Sequence, residues 1–156
     1  GLDTPLAECE KIIANLKAGY PQLSLWQDVV KRQAKVRRYS ETWLGRRRYL
    51  PGIVSDDWGK KSFAERCAMN TPIQGTAADI LKMAMARLVV ELPEYPWIVP
   101  VLTVHDSLVF YVAEEKVQEA GVLIKGLMER QPFPEFDVPL VAEVATGTNY
   151  GELDEW

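Results

Sequence analysis

Val101-Leu102-Thr103-Val104-His105-Asp106-Ser107-Leu108-Val109-Phe110-Tyr111-Val112 is the stretch on which the fold turns. β-branched and aromatic residues flank a short polar centre, the pattern of a β-hairpin with His105-Asp106-Ser107 at its tip. Upstream, Pro93, Pro96 and Pro100 break a helix marked by Ile73, Ala77, Ile80, Leu81, Ala84 and Leu88, the clearest amphipathic run in the chain. Downstream, Val117, Ala120, Leu123, Ile124 and Leu127 place a helix over Lys116 to Arg130, and Val138 to Val144 reads as a final strand. Toward the N-terminus, Thr4-Pro5 and the stripe Leu6, Cys9, Ile12, Ile13 and Leu16 predict an N-capped helix ending near Gly19. Leu23, Trp26, Val29, Val30 and Ala34 extend a second helix to about Arg38, making a helical hairpin. Tyr39 to Gly59 reads as an exposed connection with a short strand pair around Trp43 and Arg48, and a third helix is expected from Ser62 until Asn70-Thr71-Pro72 interrupts it. The expected class is α+β, with helices packed on a small antiparallel sheet.

The 156 residues, 47% hydrophobic and 26% charged, suit one globular domain. Apolar runs such as Val99 to Val104 fall far short of the roughly 20 residues of a membrane-crossing helix. The first 25 residues lack a signal-peptide pattern. Cys9 and Cys67 are too few for a disulfide framework and too isolated for zinc, so they read as reduced thiols and imply a cytoplasmic chain. Net charge is −4, but Lys31 to Arg66 holds 11 basic against 4 acidic residues, +7 locally and −11 elsewhere. A segment so basic either binds phosphate at close range or is a solvated helix face with its acids elsewhere.

His105, Asp106 and Ser107 are the residue types of a hydrolase triad, yet neighbouring strand residues face opposite ways and cannot share one proton path. Asp106 is either a turn former or a hard-oxygen ligand for Mg²⁺, an ion that also needs further carboxylates or phosphates. Arg66, Asn70 and Gln74, four apart, share a face if the helix passes through Pro72 with a kink. Such donors suit the minor groove, whose acceptors sit in similar places in every base pair. The competing reading is a capping box with Thr71 as N-cap, Pro72 at the first helical position and Gln74 at the third.

Three blocks, in this order and spacing, resemble the C-terminal part of the polymerase domain of family A DNA polymerases. They are Thr42-Trp43-Leu44-Gly45-Arg46-Arg47-Arg48-Tyr49-Leu50-Pro51, then Glu65 to Asp79 (ERCAMNTPIQGTAAD), then Val104-His105-Asp106-Ser107-Leu108-Val109. The resemblance implies an incomplete polymerase domain: residues 1–60 a fingers-derived helical hairpin and connection, residues 61–156 a palm portion with the catalytic hairpin. It implies that Asp106 is one of two metal-binding aspartates, that His105 lies near the primer terminus, and that Arg66, Asn70 and Gln74 face the duplex minor groove. Arg46 to Arg48 would lie near the DNA, with Arg48 in direct contact.

The implied chemistry is attack by the primer 3′-hydroxyl on the α-phosphate of a deoxynucleoside triphosphate, assisted by two Mg²⁺ ions. Primer-template duplex and deoxynucleoside triphosphates are the implied partners, with a complementary upstream polymerase fragment as a third. Ser107 departs from the family pattern, which has a glutamate there, and Glu143 is a possible neighbouring palm carboxylate. The first metal-binding aspartate and the nucleotide-binding helix are expected before Gly1, so the chain alone is expected to be inactive. A non-catalytic duplex-binding module or degenerate polymerase relative is the alternative, motivated by Ser107, and a scaffold fragment without DNA affinity is a third reading.

Overall fold

The computed structural model describes residues 5–155. They form two compact units, Gly1–Thr76 and Ala77–Trp156.

In the first unit, α1 (Leu6–Gly19) and α2 (Pro21–Arg37) meet at Tyr20, with Pro21 opening the second helix. The expected cap at Thr4 lies outside the described residues. α2 ends where Arg38 takes a left-handed φ of 64°, turning the chain into β1 (Tyr39–Glu41). β1 pairs antiparallel with β2 (Arg47–Tyr49), so the expected strand pair exists with Trp43 in its turn rather than in a strand. Gly45, at φ 83°, supplies the left-handed residue that turn requires. A 3₁₀ turn over Pro51–Val54 leads to α3 (Trp58–Asn70). α3 starts four residues earlier than Ser62 because Asp57 caps it, its Oδ1 accepting the Lys60 N–H at 3.0 Å.

Ala34, Leu50, Ile53, Ala64, Cys67 and Ala68 form the core of this unit, with Val30 packed against them. Ala64, Cys67 and Ala68, spaced three and four apart, give α3 a narrow flank against which Ile53 is wholly enclosed, at 0% exposure.

Pro72 does not end the helix. Thr71–Gly75 is a π-helical turn that runs directly into α4 (Thr76–Glu91). Thr71 has helical angles and its Oγ donates to the Cys67 carbonyl at 2.7 Å, so it is not an N-cap and no capping box forms with Gln74. Pro72 has no N–H for the Ala68 carbonyl four residues back, and the buried Ser40 hydroxyl donates to that carbonyl instead, at 2.9 Å.

In the second unit, β3 (Ile98–Val104) pairs antiparallel with β4 (Ser107–Val112) across a two-residue tip, His105-Asp106. The register shifts between Pro100 and Leu102, a bulge that accommodates the proline. α5 (Val117–Glu129) follows, and the Arg87 guanidinium from α4 holds its C-terminal end by donating to the carbonyls of Leu127, Arg130 and Gln131.

The expected strand over Val138 to Val144 is absent. That segment is irregular, Pro139 lacks an N–H, and the Ala142 N–H donates to the Glu129 carboxylate at 2.9 Å instead of to a neighbouring strand. The last strands are β5 (Ala145–Asn149) and β6 (Glu152–Glu155), a hairpin whose turn is held by the Asn149 side chain, which accepts from the Gly151 N–H and donates to Glu152. Short antiparallel pairs among helices make the α+β class expected from the sequence. Among the described residues no helix is long and apolar enough to cross a membrane.

Candidate functional site

The first unit carries a cleft of about 190 Å³ lined by Thr42, Arg46, Arg47, Arg48, Asn70, Thr71, Gln74 and Gly75. The β1–β2 turn forms one wall, and the end of α3 with the π turn forms the other. Hydrogen bonds join the walls, among them Ser40 to the Ala68 carbonyl and the Trp43 N–H to the Thr76 hydroxyl at 3.0 Å. Thr42 folds its own turn by accepting the Arg46 N–H at 3.1 Å. Gly75 allows the close approach, since a Cβ there would lie 2.5 Å from the Thr42 methyl.

Asn70 and Gln74, both exposed, reach the same cleft because the helical backbone continues through Pro72. The expected shared face is therefore present for these two amides. Arg66 is exposed on α3 and donates to the Ser62 hydroxyl at 2.8 Å, outside the cleft lining.

The three arginines differ. Arg47 donates to Glu41 at 3.4 Å and its guanidinium sits over the Tyr39 ring at 4.6 Å. Tyr39, foremost, then Glu41 and Tyr49 hold the Arg47 guanidinium above its usual range against the opposing effect of burial. Arg46 has partners as well. Arg48 is exposed and, among the described residues, has no ion pair or hydrogen bond from its side chain, so its charge faces the cleft uncompensated.

His105, Asp106 and Ser107 are all exposed in the second unit. His105 has φ 54°, a left-handed conformation that costs a non-glycine residue about 1–3 kcal/mol. The side chains of His105 and Asp106 have no hydrogen-bond or ion-pair partner among the described residues. Asp106 is thus a bare carboxylate at the end of a two-stranded sheet. Glu143 is exposed in the irregular segment before β5. Among the described residues no three His, Cys, Asp or Glu side chains form a group that could hold a metal. One carboxylate supplies one ligand and does not by itself fit a Mg²⁺ site.

Sequence reasoning missed Ser40, Thr42 and Gly75 as the residues that shape the cleft. Ser40 is 28 positions from its partner and left no local signal, whereas Thr42 and Gly75 stood inside the first two family-like blocks.

The chain belongs to DNA polymerase family A, whose model matches residues 1–152. DNA polymerase I of Thermus filiformis is 38% identical over 153 residues, covering 95% of this chain and 17% of that protein. DNA polymerase I of Geobacillus stearothermophilus is 41% identical over 124 residues, covering 79% of this chain and 14% of that protein. Among solved structures, the POL domain of Pol1 from M. smegmatis, in complex with DNA primer-template and dNTP, aligns with a TM-score of 0.74 at 35% identity. That alignment covers 84% of this chain and 24% of the other. The chain therefore spans less than a quarter of the relatives it matches.

Proposed function

We propose that this chain is the C-terminal part of a DNA-directed DNA polymerase, in which residues 1–60 derive from the fingers and residues 61–156 from the palm. In this reading the intact enzyme adds deoxynucleotides to a primer 3′-hydroxyl under template direction. The observation that carries the reading is the gathering of Arg48, Asn70 and Gln74 at one cleft by a helix that continues through Pro72. The two amides can donate to the minor-groove acceptors that every base pair presents in similar positions, which checks pair shape without reading sequence. Arg48 neutralises backbone phosphate beside them, with Arg66 as a further duplex contact. His105 and Asp106 complete the assignment, the imidazole near the primer terminus and the carboxylate as one of two metal-binding aspartates.

The family resemblance assigns divalent metal to the intact parent, where a second carboxylate and the substrate phosphates would complete what Asp106 begins. The isolated chain is accordingly assigned no extension activity. A cytoplasmic location belongs to the same reading and rests on the sequence having only two cysteines, too few for a disulfide framework. The second reading, a non-catalytic duplex-binding module, is favoured by the lone Asp106 followed by Ser107.

Binding of a fluorescent primer-template duplex at two salt concentrations, alongside Asn70→Ala/Gln74→Ala, tests the cleft. Affinity that falls with salt and falls further in the double variant is expected, and no binding at low salt removes the reading. Primer extension separates the alternatives for the chemistry: template-dependent extension by this chain alone would overturn its assigned inactivity.

A further inference from the structure

Ser40 is 7% exposed, and its hydroxyl donates to the Ala68 carbonyl at 2.9 Å. In the β1–β2 register Ser40 stands directly opposite Arg48, and opposed residues of an antiparallel pair put their side chains on the same face. The face that carries Arg48 at the cleft is therefore the face that Ser40 fastens to α3. Further along the same wall, the Trp43 N–H donates to the Thr76 hydroxyl, which itself donates to the Pro72 carbonyl. Asn70 and Gln74 fall between these two ties, one at Ala68 and the other at Thr76.

A duplex presents its phosphates and its minor-groove acceptors at set distances from one another. A guanidinium on one wall and two amides on the other can engage one duplex together only when the walls hold the matching distance. Arg48 is a long side chain with many rotamers, so the strand beneath it must supply the fixed point. The Trp43–Thr76 bond secures the tip of the β1–β2 turn, and Ser40 secures the strand at Arg48 itself. Loss of the Ser40 tie frees the Arg48 end of the wall while the Trp43 end stays held.

We propose that Ser40 is a positioning residue for duplex recognition: it touches no DNA, and it sets the distance between the phosphate contact at Arg48 and the minor-groove contacts at Asn70 and Gln74. This rests on the proposed function, which supplies the duplex as ligand. Through Ser40 the two kinds of contact become cooperative.

The test measures primer-template affinity of the chain for Arg48→Ala, Gln74→Ala and the two combined, first with Ser40 in place and then with Ser40→Ala. With Ser40, the combined variant should lose about tenfold less affinity than the product of the single losses; with Ser40→Ala, the losses should simply multiply. Ser40→Ala should also narrow the preference for a matched over a mismatched primer end, yet leave the salt dependence as it was, since no charge is removed. Ser40→Thr, which keeps the hydroxyl at a strand position suited to a β-branched residue, should restore the coupling. Ile53→Val loosens the core of the same unit without removing a wall hydrogen bond, and should leave the coupling intact. If circular dichroism shows Ser40→Ala unfolded, Ser40→Cys, with a thiol that donates only weakly, takes its place. Losses that multiply even with Ser40 present, or coupling that survives its removal, would overturn the inference while leaving the duplex-binding cleft standing. No binding by the unaltered chain at low salt would remove the cleft's proposed function, and the inference with it.

Discussion

Ser40 decides more at the residue scale than its size suggests. Its hydroxyl occupies the carbonyl that Pro72 leaves without a donor, so one contact both satisfies the π turn and ties the β1–β2 turn to it. Ser40→Ala should cost about 1–3 kcal/mol in urea unfolding, the range for a buried acceptor stripped of its partner. Gly75 sets the width of the cleft. Gly75→Ala should cost a comparable 1–3 kcal/mol or so from overpacking, and Thr42→Ser should restore most of it by removing the opposed methyl while keeping the hydroxyl that accepts the Arg46 N–H. A double-mutant cycle with no recovery would show that the strain lies elsewhere. His105 holds a left-handed conformation at an exposed tip, a cost that local packing does not explain. His105→Gly should therefore leave thermal stability unchanged or slightly raised, which separates an imidazole kept for contact with a ligand from one kept for the fold.

Individual elements are held by small residues and single polar links. α2 meets α3 through Ala34 in the core and through Lys35 and Glu65 at the edge, 2.9 Å apart. The Lys35 ammonium, hydrogen-bonded to Glu65, lowers that carboxyl below its usual range, with burial opposing. A carboxyl lowered in the folded state contributes stability above its unfolded pKa and loses it as pH falls through the folded one. Glu65→Gln should thus cost about 0.2–1 kcal/mol at neutral pH, and the difference from the parent should vanish on acidification below the ordinary carboxylate range. Ile53→Ala should cost about 2–5 kcal/mol, because Ile53 is wholly enclosed in a core otherwise made mostly of alanines. The same scale explains where sequence reading went astray. Val138 to Val144 has the composition of a strand, but a strand exists only with a neighbour, and Pro139 together with the Glu129 carboxylate directs this backbone elsewhere. α3 began earlier than expected because Asp56-Asp57 reads as loop until Asp57 is seen capping Lys60.

Charge divides the whole molecule. Gly1–Thr76 carries 13 basic and 8 acidic residues, whereas Ala77–Trp156 carries 5 and 14, so the net −4 conceals units of +5 and −9. Phosphate attraction therefore belongs to the first unit. Arg48→Ala should weaken duplex binding evenly across sequences and reduce the slope of log affinity against log salt by about 1, whereas Asn70→Ala should lower affinity and leave that slope unchanged. The amino-acid sequence by itself determined the family, the apolar helical stripes and the β-hairpin at His105-Asp106, because these are written in contiguous residues and fixed spacings. It also brought Asn70 and Gln74 under consideration as a pair but left the helix through Pro72 undecided. Only the tertiary structure decided that, because the missing proline donor is compensated by a hydroxyl 28 residues away. The cleft walls, and the difference between Arg47, tied to Glu41, and Arg48, whose side chain has no partner among the described residues, depend likewise on what each side chain meets in space, which no local spacing encodes.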